Sequence, residues 1–329
     1  MRIVFHGANA ASFSEGFAGL IEGGAEIVLL PDALATKVDR AAYEGADVIV
    51  GVRYGADLPR PAGLKLFHVP GAGYDAVDLA RVPDTAVVCN CFGHETAIAE
   101  YVMAALLMRH IPLSDADRRL RQGEWAYWAG TAERAHDEMA GKTMGLLGYG
   151  HIGKAIAARA KAFEMTIHVA NRSPVAPSEH VDRAFTLDQL PAFWGSVDVV
   201  VVSVPLTDET RGIVDAAAFA AMRPSAVVVN VGRGPTIDET ALFEALCTNR
   251  IAGAIVDTWY TYPSADRPTA QPSTLPFHEL SNVLMTPHMS GWTGGTIGRR
   301  QRTIAENVIR RASGRACTNV VREDKSSAT

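Results

Sequence analysis

The stretch Met144-Gly145-Leu146-Leu147-Gly148-Tyr149-Gly150-His151-Ile152-Gly153 decides how this chain is built. The apolar run before Gly148 reads as a strand and the residues from Ile152 as a helix. The G-x-G-x-x-G therefore stands at a strand-to-helix turn, the context in which it binds a dinucleotide. Gly148 permits the tight turn, Gly150 lets a pyrophosphate approach the backbone, and Gly153 lets the helix pack on the strand. The helix start, at His151 and Ile152, offers free N–H groups and a positive dipole end to a phosphate.

Working outward, short apolar strands are expected at residues 143–147, 166–170, 199–203, 226–230, 251–256 and 283–285. Helices at 152–163, 215–222 and 238–247 separate them, which describes a doubly wound sheet. Upstream, β-branched runs at 3–5, 27–30, 47–50, 66–69 and 86–89 alternate with helical or turn segments and predict a second parallel α/β unit. A long helix is expected from residue 94 to 109 and a final one from 296 to 312. Residues 260–281 are rich in Pro, Ser and Thr and read as a long ordered loop, while the polar tail 322–329 reads as disordered.

With 329 residues, 48% of them hydrophobic, the chain has ordinary globular composition and room for two domains. The net charge is −5, and the basic run Arg118-Arg119-Leu120-Arg121 is short and interrupted, the mark of a solvated helix face. Electrostatics thus give no case for nucleic acid or an anionic membrane. The four cysteines, Cys89, Cys91, Cys247 and Cys317, form neither a Cys-x-x-Cys pair nor a disulfide framework, and read as buried free thiols. Residues 1–7 lack the apolar length of a signal peptide, and no apolar run reaches the ~18 residues of a membrane span. These features predict a cytoplasmic protein without a metal site.

An acid about 20 residues beyond the glycines usually reads the adenosine ribose. Here the second strand ends in Asn171-Arg172-Ser173. Asn171 does not repel a 2′-phosphate, Arg172 pairs with one if it points inward, and Ser173 donates to it. NADP(H) is the preferred cofactor on this reading. NAD(H), with Arg172 as a solvated surface residue, is the alternative.

Four motifs occur in order: Gly141-Lys142-Thr143 leading into the glycine turn, Val204-Pro205-Leu206-Thr207, Asn230-Val231-Gly232-Arg233-Gly234, and Thr286-Pro287-His288. With them the chain resembles the D-isomer-specific 2-hydroxyacid dehydrogenases along nearly its whole length. The resemblance implies an α/β fold of two Rossmann-like doubly wound parallel-sheet domains. The substrate domain, residues 1–98 with 293–329, receives the dinucleotide-binding domain, 99–292, as an insertion. It also implies a homodimer, and cofactor contacts from Val204, Pro205, Thr210, Val231, Gly232, Asp257 and Gly291.

The family works with an arginine, an acid and a histidine. Arg233 matches the arginine and follows a predicted strand, at the carboxyl end where ligands bind in such sheets. Its planar fork suits a carboxylate and a carbonyl oxygen together. His288 matches the histidine, which protonates the forming alkoxide in reduction and takes the proton back in oxidation. The acid is missing: Asp257-Thr258-Trp259-Tyr260-Thr261-Tyr262-Pro263 puts Tyr262 in its place. A carboxylate would raise the histidine's pKa, whereas beside a phenol His288 is expected nearer its unperturbed value of about 6.5. Glu279 or Asp266 from the long loop could compensate.

Pro70-Gly71-Ala72-Gly73-Tyr74-Asp75 matches the family's substrate loop, whose backbone N–H groups, here those of Ala72 and Gly73, hold the substrate carboxylate. Arg53 and Tyr54 are expected to border the same cleft. His94 stands where the family often has asparagine and reads equally as a substrate contact or a helix-start residue. Trp292 lines the pocket on this reading, while Trp125 and Trp128 read as packing aromatics. The expected reaction is hydride transfer between NAD(P)H and the 2-carbon of a small 2-oxo or 2-hydroxy acid. A formate-like oxidation, which needs no proton taken from oxygen, and a non-catalytic dinucleotide sensor are the alternatives.

Overall fold

The computed structural model describes residues 1–21, 23–264 and 267–325. The chain divides into two compact units, Met1–Gly93 with the chain from Thr293 onward, and His94–Trp292. The sequence expectation put the limit after residue 98, inside a helix that runs unbroken from Glu95 to His110.

The first unit opens with strands Arg2–His6 (β1), Glu26–Leu30 (β2), Val48–Gly51 (β3), Leu66–His68 (β4) and Val87–Cys89 (β5), and helices Ala8–Ala11 (α1) and Lys37–Glu44 (α2). The second unit begins with helices Glu95–His110 (α3) and Leu113–Leu120 (α4). Strands Thr143–Leu147 (β6), Thr166–Ala170 (β7), Arg183–Phe185 (β8), Val199–Val202 (β9), Val227–Asn230 (β10), Gly253–Val256 (β11) and Val283–Met285 (β12) follow. Between them lie helices His151–Lys161 (α5), Leu190–Gly195 (α6), Ala216–Ala221 (α7) and Glu239–Cys247 (α8). Helix Gly294–Ala312 (α9) and strand Val320–Arg322 (β13) return to the first unit.

The second unit holds a seven-stranded sheet in the order β12-β11-β10-β9-β6-β7-β8, and every pairing is parallel. Order reverses beside β6, so the glycine turn lies at the topological switch point where such sheets bind ligands. Successive side chains go to opposite faces and both faces are covered, which explains the unbroken valine runs. Leu147, Val200, Val202 and Val228 enter one core, while Leu146, Val199, Val201 and Val229 enter the other. The first unit orders its strands β13-β5-β4-β3-β1-β2, with only β13 antiparallel.

Strand β8 was not legible because its three residues, Arg183, Ala184 and Phe185, carry no apolar run. The expected disordered tail is also corrected. Arg322 ends β13, and its guanidinium donates to the carbonyls of Leu79, Val82, Pro83 and Ala86 at 2.6–2.9 Å. Residues 326–329 lie outside the described residues. Not every thiol is buried: Cys89 and Cys91 are, Cys317 is half-buried, and Cys247 is exposed. Among the described residues, no helix is long and apolar enough to cross a membrane.

Candidate active site

Three glycines of the turn differ in what demands them. Gly148 has a φ of 96°, and a Cβ on it would lie 2.9 Å from Val204 Cγ1. A Cβ on Gly153 would lie 2.4 Å from the carbonyl oxygen of Gly148, so α5 can seat here only on a glycine. At Gly150, the N-cap of α5, a Cβ would meet no described atom within 4 Å. Internal packing therefore explains the outer glycines and leaves open space at the middle one, next to the first N–H groups of α5. That is the cradle a pyrophosphate requires, and His151 and Ile152 begin the helix that supplies it.

Asn171 works inside the protein. Its Oδ1 accepts the Tyr149 N–H at 3.2 Å and its Nδ2 donates to the Ser173 carbonyl at 2.8 Å. It thereby ties the glycine turn to the loop after β7 and leaves Arg172 and Ser173 exposed. Thr210 likewise folds its own loop, accepting from Thr207 N at 2.7 Å and donating to the Pro205 carbonyl at 2.6 Å. Beside Thr210, the Thr207 hydroxyl, the residue's own backbone and the Arg172 charge hold the Glu209 carboxyl below the usual range.

Arg233 follows β10 in a loop shaped by Asn230. The Asn230 side chain accepts from Gly232 N and donates to the Arg233 carbonyl, both at 3.1 Å. Gly232 and Gly234 are close-approach positions: a Cβ would lie 2.8 Å from the Val204 carbonyl oxygen and 2.2 Å from that of Trp259, respectively. The second approach presses the arginine loop against the segment that carries Tyr262. Val231, just before Gly232, is buried in the core.

The Tyr262 hydroxyl lies 3.0 Å from His288 Nδ1 and accepts the Trp259 backbone N–H at 3.1 Å. Burial raises the Tyr262 pKa, against the pull of the Trp259 N–H and the Arg233 charge, so the phenol keeps its proton. The Trp259 indole donates to the Thr286 carbonyl at 2.8 Å, fastening this segment to the one that holds His288. Of the compensating acids, Glu279 is exposed and lies 3.9 Å from its neighbour His278, and Asp266 is outside the described residues.

His288 has a φ of 58°, a left-handed conformation that asks for support from its surroundings. Asp257 provides it. Fully buried, its carboxylate accepts from the Thr286 hydroxyl at 2.6 Å, Met289 N at 2.9 Å and Ser290 N at 3.0 Å. The Tyr101 hydroxyl, which burial pushes up to about 12, reaches the Thr286 hydroxyl at 2.7 Å. Asp257, expected as a cofactor contact, has both oxygens engaged in holding the histidine loop. Gly291 closes that loop onto α3, where a Cβ would lie 3.3 Å from His94 Cβ. His94 is buried at the N-cap of α3, and Trp292 is 41% exposed.

In the first unit, the loop after β4 is hung from the end of β5. Asn90 Nδ2 donates to the Ala72 carbonyl at 2.7 Å and Cys91 N to the Gly71 carbonyl at 3.1 Å. Ala72 and Gly73 are half-buried. Tyr54, expected at the border of the cleft, is 2% exposed: its ring packs edge-on against Phe67 in the core and its hydroxyl lies 3.3 Å from the Pro59 carbonyl. Arg53 is ion-paired with Asp57 at 2.7 Å. Sequence reasoning missed Arg299 and Arg300. Their Nε atoms donate to the carbonyls of Gly93 at 2.7 Å and Phe92 at 3.3 Å, and Arg300 Nη1 would lie 3.8 Å from a Cβ on Gly71. Two adjacent arginines on a helix face were the only available signal. Trp125 and Trp128, expected to pack, are 64% and 60% exposed.

A family model described as D-isomer specific 2-hydroxyacid dehydrogenase, NAD binding domain, matches residues 102–290. The chain belongs to that family. Among curated relatives it is 31% identical to a D-3-phosphoglycerate dehydrogenase of Archaeoglobus fulgidus over 85% of this chain and 51% of the relative. The chain thus spans about half the length of the curated relatives of that kind. It is 30% identical to a hydroxypyruvate reductase of Thermotoga maritima, over 75% of this chain and 76% of the relative. Among solved structures it resembles an NADPH-dependent glyoxylate/hydroxypyruvate reductase of Sinorhizobium meliloti, in complex with NADP and malonate. That match has a TM-score of 0.77 and 27% identity, covering 97% of this chain and 96% of the other.

Proposed function

We propose that the chain is an NAD(P)-dependent oxidoreductase acting at the 2-carbon of a small 2-oxo or 2-hydroxy acid. The observation that carries this is the Tyr262–His288 hydrogen bond, on the segment pressed against the Arg233 loop and in the unit that holds the glycine turn. The bound dinucleotide supplies or accepts the hydride. Arg233 binds the substrate carboxylate and polarises its carbonyl. His288 gives a proton to the forming alkoxide oxygen in reduction and removes it in oxidation. Within the first unit the N–H groups of Ala72 and Gly73 are the carboxylate donors of this reading, and within the second His94 and Trp292 are its pocket residues. Val204, Pro205, Val231, Gly232 and Gly291 flank the dinucleotide.

NADP(H) is the preferred cofactor, supported by the exposed Arg172 and Ser173 and by the absence of an acid at position 171. Residues 1–98 with 293–329 act as the substrate domain and 99–292 as the dinucleotide domain, in a cytoplasmic homodimer. The second copy covers the exposed side chains of Trp125 and Trp128 and, 65% and 52% exposed, of Leu113 and Leu120. Sedimentation of wild type and a Trp125→Ala/Trp128→Ala variant tests this, and an unchanged dimer removes the patch from the interface.

The test of activity is NADPH and NADH oxidation with a panel of 2-oxo acids, for wild type, Arg172→Ala and His288→Asn. Turnover that His288→Asn abolishes, and an NADPH preference that Arg172→Ala removes, are the expected results. Dinucleotide binding without turnover on any acid overturns the reductase reading. The neutral partner of His288 favours formate oxidation as the second reading, checked by NAD(P)+ reduction with formate.

A further inference from the structure

Strand β5 ends at Cys89, which stands opposite Val320 of β13, and Asn90 N donates to the Asn319 carbonyl at 3.1 Å. Cys317 lies three residues before Val320 and packs on the same apolar cluster that buries Cys89. The two thiols are neighbours near enough for each to shift the other's pKa, and Cys317 Sγ lies 3.7 Å from the Asn307 carbonyl oxygen. Cys89 is fully buried and Cys317 half-buried, so Cys317 is the more accessible residue of the two.

The surroundings divide the labour between them. The neighbouring Cys89 thiol, helped by the Arg311 and Arg310 charges and opposed by burial and Glu323, lowers the Cys317 pKa. The same proximity, with burial, raises that of Cys89. Cys317 is thus the more readily ionised of the two, and thiolates are the reactive form.

We propose that Cys317 and Cys89 form an oxidation site that closes to a disulfide in the presence of a hydroperoxide. The Cys317 thiolate attacks a peroxide oxygen, so the S–O bond forms, the O–O bond breaks and hydroxide (or an alkoxide) leaves. Cys89 then attacks the sulfenic sulfur. The S–S bond forms, the S–O bond breaks, and the oxygen departs as water with the Cys89 proton. Two electrons pass from the thiols to the peroxide.

The site is linked to the loop after β4. The Cys89 carbonyl accepts Val69 N at 2.8 Å, and the two residues after Cys89 hold the carbonyls of Ala72 and Gly71. Resting on the substrate-loop reading above, disulfide closure moves that strand end and raises KM for the 2-oxo acid several-fold. Dinucleotide affinity, which belongs to the other unit, stays unchanged.

The test treats the reduced full-length protein with a modest excess of hydrogen peroxide, then counts thiols after denaturation and maps peptides. Two of the four thiols should disappear into a Cys89–Cys317 peptide two hydrogens lighter, and dithiothreitol should restore them. Cys317→Ser should keep its thiols, and Cys89→Ser should leave a sulfenic acid at Cys317 that a dimedone probe traps. Since Cys317 is half-buried, its serine variant is the one to rely on if the core variant folds poorly. Unchanged thiols, a disulfide between other cysteines, or Cys317 sulfinic acid without a disulfide overturns the proposal. Thiol counting needs no activity, so these outcomes stand apart from failure of the reductase reading. A disulfide that leaves KM unchanged removes the link to the loop.

Discussion

The Tyr262 hydroxyl sits 3.0 Å from His288 Nδ1 while accepting the N–H of Trp259. A phenol oxygen has one proton and two lone pairs. It donates to a neutral imidazole or accepts from an imidazolium, whereas a carboxylate favours only the charged ring. Tyr262→Glu should therefore move the alkaline limb of kcat/KM for 2-oxo acid reduction upward by about one pH unit. Tyr262→Phe should lower kcat/KM on the order of tenfold, the scale of a lost charge-assisted hydrogen bond. A Glu variant whose pH profile matches wild type would reduce Tyr262 to a packing role.

Asp257 holds the left-handed histidine loop through the N–H groups of Met289 and Ser290. Asp257→Ala leaves the Ser290 N–H buried without its acceptor, which costs about 1–3 kcal/mol by the usual penalty for such a group, and also removes the acceptor of the Met289 N–H. Urea unfolding should show that loss. Turnover at saturating cofactor should fall at least tenfold, because His288 loses its support. Weakened dinucleotide binding with kcat preserved would instead make cofactor contact the main task of Asp257.

Arg300 Nη1 lies close to the substrate-loop residue Gly71. Arg300→Met should raise KM for a 2-oxo acid about tenfold, the worth of one charged hydrogen bond, and leave kcat near wild type. Arg300→Lys should recover part of it. Equal KM in all three proteins excludes Arg300 from substrate binding.

His68 ties β4 to α9 inside the first unit. Its Nε2 lies 3.0 Å from Asn307 Nδ2 and its Nδ1 3.1 Å from the Val69 carbonyl oxygen, which fits a neutral ring. Burial lowers its pKa to about 4. In the unfolded chain the ring titrates near 6.5, so between these values the unfolded state binds more protons and stability rises with pH. The contribution is complete above about pH 6.5 and shrinks as the pH falls toward 4, on the order of 3 kcal/mol in all. Urea midpoints of wild type should fall more steeply over that window than those of His68→Gln. Parallel curves would show that His68 does not titrate with folding.

The sequence by itself determined the two parallel sheets, the glycine turn and the positions of Arg233 and His288. Those signals are local: strand runs such as Val199–Val202 are apolar because both faces are buried, and Gly153 is a glycine because its neighbour in the turn leaves no room for a Cβ. Even the substitution of Tyr262 for an acid was legible from motif spacing. What that tyrosine touches was not, since residues 262 and 288 meet only once β11 and β12 lie side by side. The same holds for the bonds of Asp257 to the Thr286 hydroxyl and the N–H groups of Met289 and Ser290, which hold the histidine loop. Tyr54, read as a pocket residue, went to the core, and Trp125 and Trp128, read as packing aromatics, are exposed. Arg300 came to the loop after β4 across more than two hundred positions of sequence. Periodicity and motif spacing report which residues a strand or turn requires. The partners of a side chain depend on which distant segments the sheets bring alongside it, and that is decided by packing.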